Sequence, residues 1–106
     1  MARFCLVVYT KPVEGREQEY NDWYSNQHLN DLLAIPGVLS ARRFKLSGTQ
    51  MPNKPTSSYP YLAIYDIEAE NVTSFINEME VRGADGRMPI STALSMDVVA
   101  QFWDAM

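Results

Sequence analysis

The chain has 106 residues, 46% apolar and 21% charged, with a formal charge of −4 and an isoelectric point near 4.8. That is the balance of a single folded domain over residues 1–106, and it excludes a disordered chain. The acidic charge offers no footprint for nucleic acid or an anionic membrane surface, and no run approaches the roughly 20 apolar residues of a membrane span.

Phe4 to Tyr9 is a nearly continuous apolar run rich in β-branched and aromatic residues, which predicts a central strand ended by Thr10-Lys11-Pro12. Cys5 within it is the only cysteine, so no intrachain disulfide can form, and it reads as a small buried hydrophobe. With Met1-Ala2-Arg3 leading directly into this strand and no signal-peptide layout, the expectation is a cytoplasmic protein. From Glu14 to His28 the spacing turns helical, with Tyr20, Trp23, Tyr24 and Gln27 three or four residues apart. Asp31 to Ala34 predicts a further short turn stopped by Pro36-Gly37.

Val38 to Leu46 alternates as a second strand, with Val38, Ser40, Arg42 and Phe44 assigned to one side and Leu39, Ala41, Arg43 and Lys45 to the other. Ser47 to Pro60 is rich in Ser, Thr, Pro, Gly and Asn and reads as a long loop, of the kind that serves as a lid or a dimer contact. Tyr61 to Asp66 predicts a third strand. Asn71 caps a second helix running to Gly83, on which Val72, Phe75, Ile76 and Met79 form the apolar stripe. A polar loop from Gly83 to Pro89 leads to a last strand within Ser95 to Trp103.

The order is β-α-β-β-α-β, a ferredoxin-like α+β fold in which two helices cover one face of a four-stranded antiparallel sheet. The other face is then open. Tyr61 and Tyr65, with period two, are expected there beside Trp103, either sealing a dimer or lining a pocket.

His28 is the only histidine, and it ends an aromatic helix with Asp31 three residues on. Imidazole is the one side chain with an unperturbed pKa close to neutrality, so His28 is the leading acid/base candidate, with Asp31 as its orienter; plain helix capping is the competing explanation. Tyr24 lies one helical turn before His28 and can share its ligand, whereas Tyr20, a further turn back, reads first as core. Trp23 points roughly 100° from Tyr24. Arg42 and Arg43 face opposite ways; one of them can meet a substrate oxyanion, although salt bridges with the 13 acidic residues are the default. One His and one remote Cys do not make a metal site, and no glycine-rich phosphate loop or serine triad is present.

The run from Tyr9 to Phe44 resembles the EthD-like family of dimeric α/β-barrel proteins. Pro12, Gly15, Glu17, Tyr20, Trp23, Tyr24, His28, Leu29, Leu32, Pro36-Gly37 and Arg43-Phe44 carry the match, and the remainder agrees only in element order. The resemblance implies a homodimer with two sheets packed face to face, each protomer keeping a cavity between its first helix and its sheet. It implies no metal and no organic cofactor, and it makes His28 the position that matters most.

The resulting expectation is a cofactor-independent enzyme of lyase (dehydratase) or isomerase type, acting on an aromatic or polyketide-like carbonyl compound. His28, Asp31 and Tyr24 are its catalytic candidates. Tyr20, Trp23, Tyr61, Tyr65, Trp103 and Arg43 are its candidate contacts to a small apolar or aromatic ligand. A non-catalytic dimeric binder of a hydrophobic metabolite and a cofactor-free monooxygenase are the alternatives.

Overall fold

The computed structural model describes residues 1–106. Strand β1 (Ala2–Thr10) lies between β3 (Tyr61–Ala69) and β4 (Val99–Asp104), and β2 (Val38–Lys45) closes the other edge, in the order β2-β3-β1-β4 with every pairing antiparallel. Between β1 and β2 a single helical rod comprises α1 (Glu17–Trp23), a π-helical turn (Tyr24–His28) and α2 (Leu29–Leu33). Between β3 and β4 lies α3 (Val72–Ala84). The expected β-α-β-β-α-β order and antiparallel sheet are present, and no helix is long and apolar enough to cross a membrane.

The core lies between helices and sheet. Phe4 and Leu6 of β1 and Tyr61, Ala63, Tyr65 and Ile67 of β3 all point into it. Tyr61 and Tyr65 are therefore on the covered face, opposite to the expectation. The cause is the phase of β3: the alternate set, Leu62, Ile64, Asp66 and Glu68, carries two carboxylates whose burial without partners is costly, so it takes the other side. Trp103 does lie on the open face, opposite Cys5 in the register and 55% exposed.

The second strand also departs from simple alternation. A β-bulge between Val38 and Ser40 pairs Val38 with Ile67 and Ser40 with Asp66. One residue is taken out of register, so Val38 packs on the core with Ala41 while Ser40 donates to the Asp66 carboxylate at 2.9 Å on the open face. Gly37 precedes the bulge with φ of +101°. A Cβ there would stand 2.5 Å from the Glu68 carbonyl oxygen, where β2 enters the sheet through the Glu68 N–H to Gly37 oxygen bond of 2.8 Å.

Asn71 caps α3 as its type and position predict, its side-chain oxygen accepting from the Ser74 N–H at 2.8 Å. Phe75 then meets Phe4 and Phe102 edge-on, with ring centroids 6.0–6.2 Å apart among the three, which fixes α3 over β1 and β4. The segment after α3 is tied to the end of β1 by the Val13 N–H to Ala93 oxygen bond of 2.7 Å and the Lys11–Asp97 ion pair of 2.8 Å. Tyr59, from the long loop, donates to the same Asp97 at 2.7 Å.

Candidate active site

The π turn decides what the first helix presents to the sheet. The Leu29 N–H returns to the Tyr24 carbonyl, five residues back, instead of four. In an α-helix residues five apart lie about 140° from each other around the axis and cannot stack. The wider turn brings Trp23 and His28 onto one side, with ring centroids 4.6 Å apart and planes 25° from parallel. Tyr24 meets the same imidazole edge-on at 4.9 Å and 89°. Trp23 is held from behind by donating Nε1–H to the Pro89 carbonyl at 3.3 Å, which also fixes the segment carrying Met88.

His28 lies at the rim of a cavity of about 180 Å³ between the helices and the sheet. Leu6, Leu32, Tyr65 and Met88 are buried and form its floor, and Val8, Met79 and the exposed Ala100 complete its walls. Burial, with a smaller contribution from the Arg43 charge, lowers the His28 pKa to about 4, so the ring is neutral at pH 7. Its Nδ1 is buried and has no hydrogen-bond partner. The Tyr65 hydroxyl is bonded to that of Tyr24 at 3.2 Å; burial pushes Tyr24 up to about 12 and Tyr65 upward as well, so both stay protonated.

Behind this pair sits Arg43. Its guanidinium lies 4.4 Å from the Tyr24 ring centroid, 5.3 Å from Tyr20 and 5.2 Å from Tyr61. It donates to Ser25 Oγ and Asn21 Oδ1, each at 3.0 Å, and forms none of the chain's salt bridges. The default of an acidic partner is thus corrected: π faces and neutral oxygens hold this charge, which leaves its field unneutralised beside the cavity. Asn21 Nδ2 in turn donates to the Tyr61 hydroxyl at 3.1 Å, and that hydroxyl donates to Glu17. Arg42 stays on the open face, 5.5 Å over Phe44.

No protein-family model matches the chain. Core atranone cluster (CAC) protein 1 of Stachybotrys chlorohalonatus is 35% identical over 65 residues, 59% of this chain and 25% of that protein. The chain spans about a quarter of the length of that curated relative. An EthD-family protein from Bacillus halodurans superposes with a TM-score of 0.62, at 17% identity and with 100% of both chains covered. The chain shares that protein's ferredoxin-like fold. A dimeric ferredoxin-like protein of unknown function from Thermobifida fusca (TM-score 0.58, 14% identity, 98% and 92% covered) shares it. So does SnoaB, a cofactor-independent oxygenase from Streptomyces nogalater (TM-score 0.60, 11% identity, 99% and 94% covered).

Within this fold, His28 and Tyr65 reach the cavity, Tyr24 backs Tyr65, and Trp23 backs His28 without lining the space. Tyr20 is wholly buried and bonded to Thr10, and is core. Tyr61 faces Arg43 and Glu17, and Trp103 lies across the sheet; neither lines the His28 cavity. Asp31 makes no hydrogen bond to His28. Its Oδ2 is buried without a partner, burial raises its pKa against a lowering bond from Gln27, and the imidazole is instead held between the Trp23 and Tyr24 rings.

Met79 was visible as a member of a helical stripe and Leu32 as part of the short turn before Pro36, without a sign that they line a cavity. Met88 stands alone in a polar loop, and only its apolar character in that setting marks it. A larger hollow of about 300 Å³, bounded by Tyr9, Phe44, Leu46, Tyr59, Leu62 and Ile64, opens beneath the long loop. It contains no histidine and includes the open sheet face.

Proposed function

We propose that the chain is a small enzyme of lyase or isomerase type that moves a proton on an aromatic or polyketide-like carbonyl compound, with His28 as the base and no organic cofactor. The observation that carries this reading is a neutral imidazole, with an unpartnered buried nitrogen, at the rim of an apolar cavity. A neutral imidazole keeps one basic nitrogen at neutral pH, and a C–H next to a carbonyl is the kind of proton it can take. The imidazolium so formed is a strong acid in this dry setting. It returns the proton quickly, either to another carbon, which isomerises the substrate, or to a leaving hydroxyl, which dehydrates it.

Tyr65 supports the step by donating to the substrate oxygen, with the Tyr24 hydroxyl behind it. The unneutralised Arg43 charge favours the enolate that develops there. Two copies joined through their open faces complete the assembly, a reading supported by half-buried Cys5, Val7, Leu62 and Ile64 and exposed Trp103 on that face, and by the dimeric description of the Thermobifida fusca neighbour.

The test is deuterium incorporation from D₂O into the α-position of aryl ketone and polyketide-like probes, followed by NMR. His28→Ala is expected to abolish exchange, a loss of 10²-fold or more, with the dimer and its melting temperature retained. Exchange at the wild-type rate in that variant sinks the mechanism. The likeness to a cofactor-independent oxygenase favours a second reading, a cofactor-free monooxygenase, for which His28-dependent oxygen consumption with an electron-rich phenol is the readout. Saturable binding with neither activity identifies a non-catalytic binder.

A further inference from the structure

Ligand sites for drug-sized compounds occupy about 300–1,000 Å³, whereas an apolar protein cavity of roughly 150 Å³ holds one benzene ring. The His28 cavity, at about 180 Å³, belongs with the latter. Its floor is set by residues that cannot withdraw cheaply. Leu6 is fixed in the central strand β1, Tyr65 is bonded to Tyr24, and Leu32 is packed in the core cluster. Met88 is pinned through the Pro89 carbonyl that accepts from Trp23.

All lining residues but His28 are hydrophobic in class, and the polar atoms on offer are the imidazole and the Tyr65 hydroxyl. The imidazole makes no hydrogen bond to the protein through its buried Nδ1, and the part of the ring that lines the cavity can bond to a ligand oxygen. The exposed Ala100, on the edge strand β4, marks the open end, so a narrow substituent can leave past it while a second fused ring has to displace the floor.

We propose that this cavity takes one six-membered aromatic ring bearing a single hydrogen-bonding oxygen, a phenol or an aryl carbonyl, and excludes fused bicyclic compounds. The proposal rests on the reading of the His28 cavity as the ligand site and narrows its substrate class. It needs no turnover, so binding and catalysis fail separately. Phenol, 4-propylphenol and 2-naphthol serve as probes, with binding followed through the methyl resonances of Met79 and Met88 in ¹³C-methyl-methionine-labelled protein.

Phenol and 4-propylphenol are expected to shift both methyls saturably, with 2-naphthol at least 10-fold weaker. Met88→Ala narrows that gap, and Ala100→Leu, at an exposed position that leaves the core intact, weakens phenol by 10-fold or more. Size-selective binding of phenol without exchange chemistry upholds this inference and defeats the base assignment. Binding of 2-naphthol to the wild-type cavity as tightly as phenol overturns the inference whether or not exchange occurs, and so does phenol binding that leaves Met79 and Met88 unmoved.

Discussion

His28 is the only histidine, so its ring protons report directly on its titration. The midpoint is expected near pH 4, about where burial and Arg43 place it. The unfolded chain, with an ordinary imidazole, takes up its proton first as the pH falls. Stability is therefore lost between about pH 6.5 and pH 4, by up to about 3 kcal/mol, and the loss is complete below that window. Asp31 works in the opposite sense, because its raised carboxyl keeps a proton in the folded state that the unfolded chain has released. His28→Gln should flatten the His28 limb in denaturant titrations run at several pH values. Arg43→Met removes the guanidinium but keeps an apolar stem against the tyrosines, and should raise the His28 midpoint; an unmoved midpoint means that burial alone sets it. If His28 is the base in free enzyme, the acid limb of kcat/KM follows the same midpoint.

At the scale of elements, the order of strands and helices could be read from periodicity, because each burial pattern repeats over six or more residues and an error at one position does not change it. Asn71 was legible for another reason: an uncharged side-chain acceptor directly before an apolar helical stripe has few other uses. Single-residue irregularities were not legible. The bulge at Val38–Ser40 and the π turn at Tyr24–His28 each displace one residue, and no residue type is unique to either. The facing of Tyr61 and Tyr65 was decided by charges in the other phase of β3, and Glu68 fell beyond the predicted end of that strand. Pro36-Gly37 was read only as a helix stop, yet Gly37 also passes the sheet too closely for a side chain. Gly37→Ala should cost about 1–3 kcal/mol in chemical denaturation, from a positive φ and contact with the Glu68 carbonyl. A cost near zero would show that β2 can shift at its entry.

For the whole molecule, the helix-covered face holds a continuous core, while the open face carries half-buried apolar residues and an exposed tryptophan at one edge strand. If two copies join through that face as proposed, Trp103→Glu should leave a monomer in sedimentation equilibrium with its helical circular dichroism retained. A dimer of unchanged affinity places the contact elsewhere. The identity of the candidate base was legible because it is the only histidine of an aromatic helix; its setting was not, since the cavity is built from side chains of both helices, three strands and a loop that are remote in sequence.

The π turn has a consequence for how such chains are compared. Geometrically it is an α-helix that has absorbed one additional residue without changing direction, and the surplus is spent between Tyr24 and His28. A relative with an uninterrupted α-helix carries one residue fewer there, so any alignment without a gap sets its residues beside the wrong partners on one side of the turn. Homologues of this chain should therefore be matched by the stacked aromatic and imidazole pair, and a single-residue deletion between Tyr24 and His28 should be read as a change of helix winding before it is read as the loss of a histidine.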